Sequence, residues 1–81
     1  MAKSLHTPEY ELFRSLLVSA REAVGFTQTE VAVRLGRPQS FVAKYEGGER
    51  RLDIVEFIEV CGALNADPHV LLDAIKSGGV K

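Results

Sequence analysis

The chain has 81 residues, 46% of them apolar and 26% charged, a size and balance that fit one soluble globular domain with a modest core. No apolar run approaches the ~18 residues of a membrane span, and Met1-Ala2-Lys3-Ser4-Leu5 leads into polar sequence rather than the apolar stretch of a secretory signal, so the expected compartment is the cytoplasm. A single cysteine excludes an intramolecular disulfide, and a formal net charge of −1 by itself argues weakly against a nucleic-acid partner.

Met1 to His6 shows no periodic pattern, and residues 1–7 read as a flexible arm. Thr7-Pro8-Glu9 then supplies a capping hydroxyl, a proline suited to the first helical position and a carboxylate where the helix dipole favours it. A first helix is expected from about Pro8 to Ala23 or Val24, with Leu12, Phe13, Leu16, Leu17 and Ala20 on one face and Gly25 after its end. Thr27-Gln28-Thr29-Glu30 is a capping box, a Thr that accepts from the third amide and a Glu that reaches back. Val31, Ala32 and Leu35 continue at helical spacing to Gly36, which can take the left-handed conformation that ends a helix. Arg37-Pro38 turns the chain, and a third helix is expected to begin near Pro38.

In that helix Val42 and Tyr45 share one side with Pro38, while Gln39, Ser40, Ala43, Lys44 and Gly47 project from the other. A short helix with two or three apolar anchors and a polar outer face is built to be presented. Glu46-Gly47-Gly48-Glu49-Arg50-Arg51 reads as an exit loop whose arginines can reach a phosphate chain, a solvated charge cluster being the plainer alternative. Asp53 and Glu56 repeat the capping box and open a fourth helix, whose Ile54, Val55, Phe57, Ile58, Val60, Cys61 and Leu64 are apolar nearly all round. One small core does not cover that many sides, which makes Val55, Val60 and, on the next helix, Val70 candidates for a dimer surface. Cys61 in this run reads as a buried inert thiol. Asn65 suits a C-terminal cap, Asp67-Pro68 restarts a fifth helix carrying Val70, Leu71, Leu72 and Ile75, and residues 78–81 are expected to fray.

The stretch from Thr27 to Glu46 resembles the helix-turn-helix of the Cro/phage-repressor (XRE) type. The resemblance rests on Gln28 at the start of the first helix of the pair, small Ala32, Gly36 in the turn, Val42 and Tyr45 as inward anchors, and Lys44-Tyr45-Glu46-Gly47 at the end of the second; it extends over roughly Phe13 to Leu72. It implies an all-α, compact five-helix bundle over residues 8–77, a lambda-repressor-like DNA-binding domain. It also implies the function: sequence-specific binding of double-stranded DNA by a transcriptional regulator, most simply a repressor, that places the third helix in the major groove. Gln39, Ser40, Ala43 and Lys44 would face base edges, and Gln28, Arg37, Arg50 and Arg51 would contact phosphate. Phe41, at the border of the reading face, could either pack against the domain or touch a thymine methyl. Arg21 could meet a phosphate, but in this family the residue at its position usually pairs with the Glu that follows the Tyr, here Glu46.

Charge distribution agrees with such a partner better than net charge does. Arg34 to Arg51 holds five basic and two acidic residues, a balance of +3, and Leu52 to Lys81 holds five acidic and two basic, a balance of −3. A catalytic reading finds little: the two histidines, His6 and His69, have no Cys or His at metal-ligand spacing, Asp53/Glu56 and Thr27/Glu30 are better explained as caps, and Gly47-Gly48 lacks the strand and Lys-Ser/Thr of a phosphate loop. The expected protein is therefore no enzyme and needs no metal, cofactor or small-molecule ligand. Its partners are double-stranded DNA, a (pseudo)palindromic operator, and a second copy in a weak homodimer, in the cytoplasm of a bacterium or phage host and on the nucleoid when bound. The alternative is an antitoxin or other protein-binding module that autoregulates through the same helix-turn-helix.

Overall fold

The computed structural model describes residues 7–78, and Met1 to His6 and residues 79–81, where the arm and most of the frayed end were expected, lie outside the described residues. Five helices follow one another: α1 (Pro8–Val24), α2 (Gln28–Leu35), α3 (Gln39–Glu46), α4 (Ile54–Leu64) and α5 (Pro68–Lys76). Among the described residues there is no strand, and no helix is long and apolar enough to cross a membrane.

The boundaries follow from local chemistry. Thr7 accepts from the Tyr10 amide at 3.1 Å. Thr27 and Asp53 each close a full capping box, with Glu30 and Glu56 returning to the cap amides, so two of the four orphan N–H groups at each start are satisfied by side chains. Gly36 sits at φ 68°, ψ 33°, and its neighbour Arg37 returns its amide to the Ala32 carbonyl at 3.0 Å, which tightens the turn between α2 and α3. Asn65 takes the same left-handed conformation at the end of α4, at φ 58°. α3 begins at Gln39, next to Pro38 as expected, with Pro38 as its N-cap and no side-chain hydrogen bond there.

Packing explains why a chain this small closes. α2 packs on both α3 and α4, and α1 lies across α3, α4 and α5. Leu17, Val31, Val42, Tyr45, Val60, Cys61 and Leu64 are the fully buried side chains at the centre, with Ala32 as the small residue where α2 meets its neighbours. The rings of Tyr10, Phe13 and Phe57 meet edge to face at 5.2 and 5.3 Å, joining α1 to α4. Tyr10 does more: its hydroxyl accepts from the Leu52 amide at 3.0 Å and so ties the loop after α3 to α1. One expectation is overturned. Val60 is 0% exposed and belongs to the core, not to a dimer surface. A helix apolar nearly all round gives periodicity no phase, and in the fold the stripe of Phe57, Val60, Cys61 and Leu64 turns inward while Ile54, Val55 and Ile58 remain outside.

Candidate nucleic-acid interface

The presented element is α3. Val42 and Tyr45 on its back are 0% exposed, and Gln39, Ser40 and Lys44 on its front are open to solvent, with Ala43 half-buried between them. Two apolar anchors spaced at one helical turn thus fix the rotation of the helix about its axis and decide which side chains point outward.

The C-terminal end of α3 is held from α1 by two arginines. Arg21 donates from Nε to Glu46 Oε2 at 2.7 Å and from Nη2 to Glu46 Oε1 at 3.1 Å, and its third donor reaches the Phe26 carbonyl at 2.9 Å. Arg14 donates to the Glu46 backbone carbonyl and, at 2.6 Å, to the Glu11 carboxylate. A cation on the last carbonyls of a helix satisfies an orphan acceptor and opposes the negative end of the dipole. Arg14 escaped the sequence analysis, although its position seven residues before Arg21, two helical turns up the same stripe, was the available signal.

At the other end of α3, Gln39 meets Gln28. The Gln39 Nε2 donates to Gln28 Oε1 at 2.7 Å, and the Gln28 Nε2 donates to Glu46 Oε1 at 2.9 Å. The side chain expected to touch phosphate is thus also a bridge between the first and last residues of α3. Arg34, in the last turn of α2, donates to the Ala63 carbonyl at 2.8 Å and so caps α4.

The rim of α3 is cationic and rests on Phe41. The guanidinium of Arg37 lies 4.5 Å from the centre of that ring and the guanidinium of Arg50 lies 4.9 Å from it, while Tyr45 meets it edge to face at 5.5 Å. Phe41 is only 9% exposed, so of its two open roles packing is the one its position supports. Arg51 stacks at 4.5 Å over Tyr10. Glu56 is the counter-charge: it accepts from both terminal nitrogens of Arg50, at 2.9 and 2.8 Å, and lies 3.9 Å from Arg37, which also reaches Glu59 at 3.5 Å. The fork of Arg50 and, second to it, the Asp53 amide hold the Glu56 carboxyl down at about 2.

A carboxyl whose folded pKa lies below its unfolded value of about 4.5 contributes stability that is present above that value and is lost as pH falls toward 2. Glu56→Gln is therefore expected to flatten the acid limb of the stability profile. Urea unfolding at pH 5 and pH 3 should show a smaller difference in the variant than in the parent, and an unchanged difference would remove Glu56 from the acid transition.

Comparison with known proteins bears on what this surface does. A family model described as a helix-turn-helix domain matches residues 12–74. No curated protein matches significantly. Among solved structures, an XRE-family like protein from Pseudomonas syringae pv. tomato str. DC3000 is 49% identical, with 85% of this chain and 84% of that one covered at a TM-score of 0.82. The restriction-modification controller protein C.AhdI from Aeromonas hydrophila is 29% identical, with 82% of this chain and 99% of that one covered at a TM-score of 0.70.

Proposed function

The chain belongs to the XRE-type helix-turn-helix family, and from that premise we propose that it is a sequence-specific double-stranded-DNA-binding regulator of transcription, in the simplest case a repressor that occupies its site. α3 enters the major groove. Gln39, Ser40, Ala43 and Lys44 face base edges; Gln28, Arg37, Arg50 and Arg51 contact the phosphate chains on either side and fix register. The observation that carries this reading is the division of α3 into a fully buried back and a polar, solvent-open front flanked by arginines. Gln39 has the donor and acceptor that adenine requires, Lys44 donates as guanine requires, and the Ala43 methyl suits a thymine methyl.

A single eight-residue helix reads few base pairs, so the reading extends to a weak dimer on a (pseudo)palindromic operator. Its support is the exposed apolar side chains of α4 and α5: Val55 and Val70 are 61% and 62% exposed, and Ile54 and Ile58 of α4 are exposed as well. Selection of bound fragments from random DNA should return two inverted half-sites separated by about 34 Å, one helical turn. Sedimentation should show a dimer at high micromolar concentration that Val55→Asp with Val70→Asp converts to a folded monomer of lower operator affinity. An asymmetric site bound one-to-one by a strict monomer would refute the dimeric reading.

A further inference from the structure

Resting on the reading of α3 just proposed, we infer that Glu46 is a positioning residue for base recognition: through Gln28 it fixes which way round the amide of Gln39 is presented to the groove. The connection is continuous in the structure. Arg21 clamps both oxygens of Glu46, Glu46 Oε1 accepts from Gln28, and Gln28 accepts from Gln39, all within 3.1 Å.

The chemistry of the groups imposes a polarity on this run of hydrogen bonds. A carboxylate held by two guanidinium N–H groups only accepts hydrogen bonds. Gln28 must therefore turn its NH2 toward Glu46 and its oxygen toward Gln39. Gln39, facing an oxygen, must in turn use its NH2 for that contact. What remains for the groove is one N–H and one carbonyl oxygen in a fixed order. The adenine edge presents N7, an acceptor, beside N6, a donor, and so matches one order of the two. Were the amide reversed, acceptor would meet acceptor and donor would meet donor. In water or in an isolated helix a glutamine amide turns over freely, so the order is a property of the clamp and not of Gln39 itself. Glu46, 6% exposed and behind the helix, touches no base in this scheme, yet the preference at one base pair depends on it.

The test uses the full chain and duplexes selected from a random pool, with every single-base-pair substitution of the selected site. Gln39→Ala locates the base pair whose preference depends on Gln39. Gln28→Met keeps the volume and leaves the Arg21 and Glu46 pair intact, but breaks the chain of polarity; Glu46→Gln allows either amide orientation. In both, the preference for adenine at the Gln39-dependent base pair should fall roughly five-fold or more while preferences at other positions persist. Loss of a phosphate contact by Gln28 weakens all duplexes alike and is separated by that comparison. Should Glu46→Gln unfold, Gln28→Met decides alone. Uniform weakening with the adenine preference intact overturns the inference. If Gln39→Ala changes no preference at all, the assignment of α3 to the groove has failed, and the inference falls with it by a distinguishable route.

Discussion

Arg21→Met and Glu46→Leu are each expected to lower the free energy of unfolding by about 3 to 5 kcal/mol, with the double variant recovering part of the summed loss. The reason is stranding. Glu46 is 6% exposed and the Arg21 side chain 15%, so either charge left alone has little water to turn to. The two losses should not be equal. Without Glu46, Arg21 keeps the Phe26 carbonyl; without Arg21, the more deeply buried carboxylate keeps only the Gln28 amide as a side-chain donor. Arg21→Met should therefore be the more damaging change. The pair as a unit contributes little beyond what apolar side chains of the same volume would, which is why removing both is milder than removing one. Urea unfolding of the four proteins measures the coupling, and strictly additive losses would show that the pair does not act as a unit.

Gln39→Ala and Lys44→Ala are expected to narrow the gap between operator and random DNA by about 1 to 3 kcal/mol each, confined to one or two base pairs per half-site. Arg37, Arg50 and Arg51 should behave differently. Their replacement should weaken binding to all sequences alike and reduce the salt dependence of log K by roughly one unit per phosphate contact. Arg50 should lose less than Arg37, because its guanidinium fork is engaged by Glu56 at 2.9 and 2.8 Å, against 3.9 and 3.5 Å for the ion pairs of Arg37, and must share that partner with a phosphate. Titration of each variant against operator and scrambled duplex at several salt concentrations separates the two classes. A specificity ratio untouched by Gln39→Ala and Lys44→Ala, but abolished by Arg51→Ala, would mean that the wrong element has been assigned to the groove.

The helices were legible in the sequence because their ends are written in short-range chemistry. Thr27 with Glu30, Asp53 with Glu56, and the left-handed positions at Gly36 and Asn65 each act over three or four residues, within reach of pattern reading. The presented face of α3 was legible for the same reason, since Val42 and Tyr45 set its phase. Contacts that cross the fold were harder. The bridge from Gln28 to Gln39 spans eleven residues and the Gly36 turn, and nothing in spacing alone aims two amides at each other. Glu56 was read as a cap and is one, but a carboxylate has about four acceptor sites, and the cap leaves room for Arg50. Val60 went astray because α4 offers apolar residues on every side, and only the packing of α1, α2 and α5 against it selects the stripe that is covered.

Cys61 lies on that covered stripe, 1% exposed, with burial pushing its thiol up to about 11. An alkylating reagent needs the thiolate and a path to it, and the native domain supplies neither at neutral pH. Modification therefore waits on an opening large enough to part α4 from its neighbours, an event whose free energy approaches that of global unfolding. The rate at which the native ensemble becomes labelled then counts these excursions, in a chain with no second thiol to confuse the count. Any ligand that binds only the closed form slows the labelling in proportion to one plus its concentration over Kd, so a sulfur atom deep in the core reports occupancy at a surface it never meets.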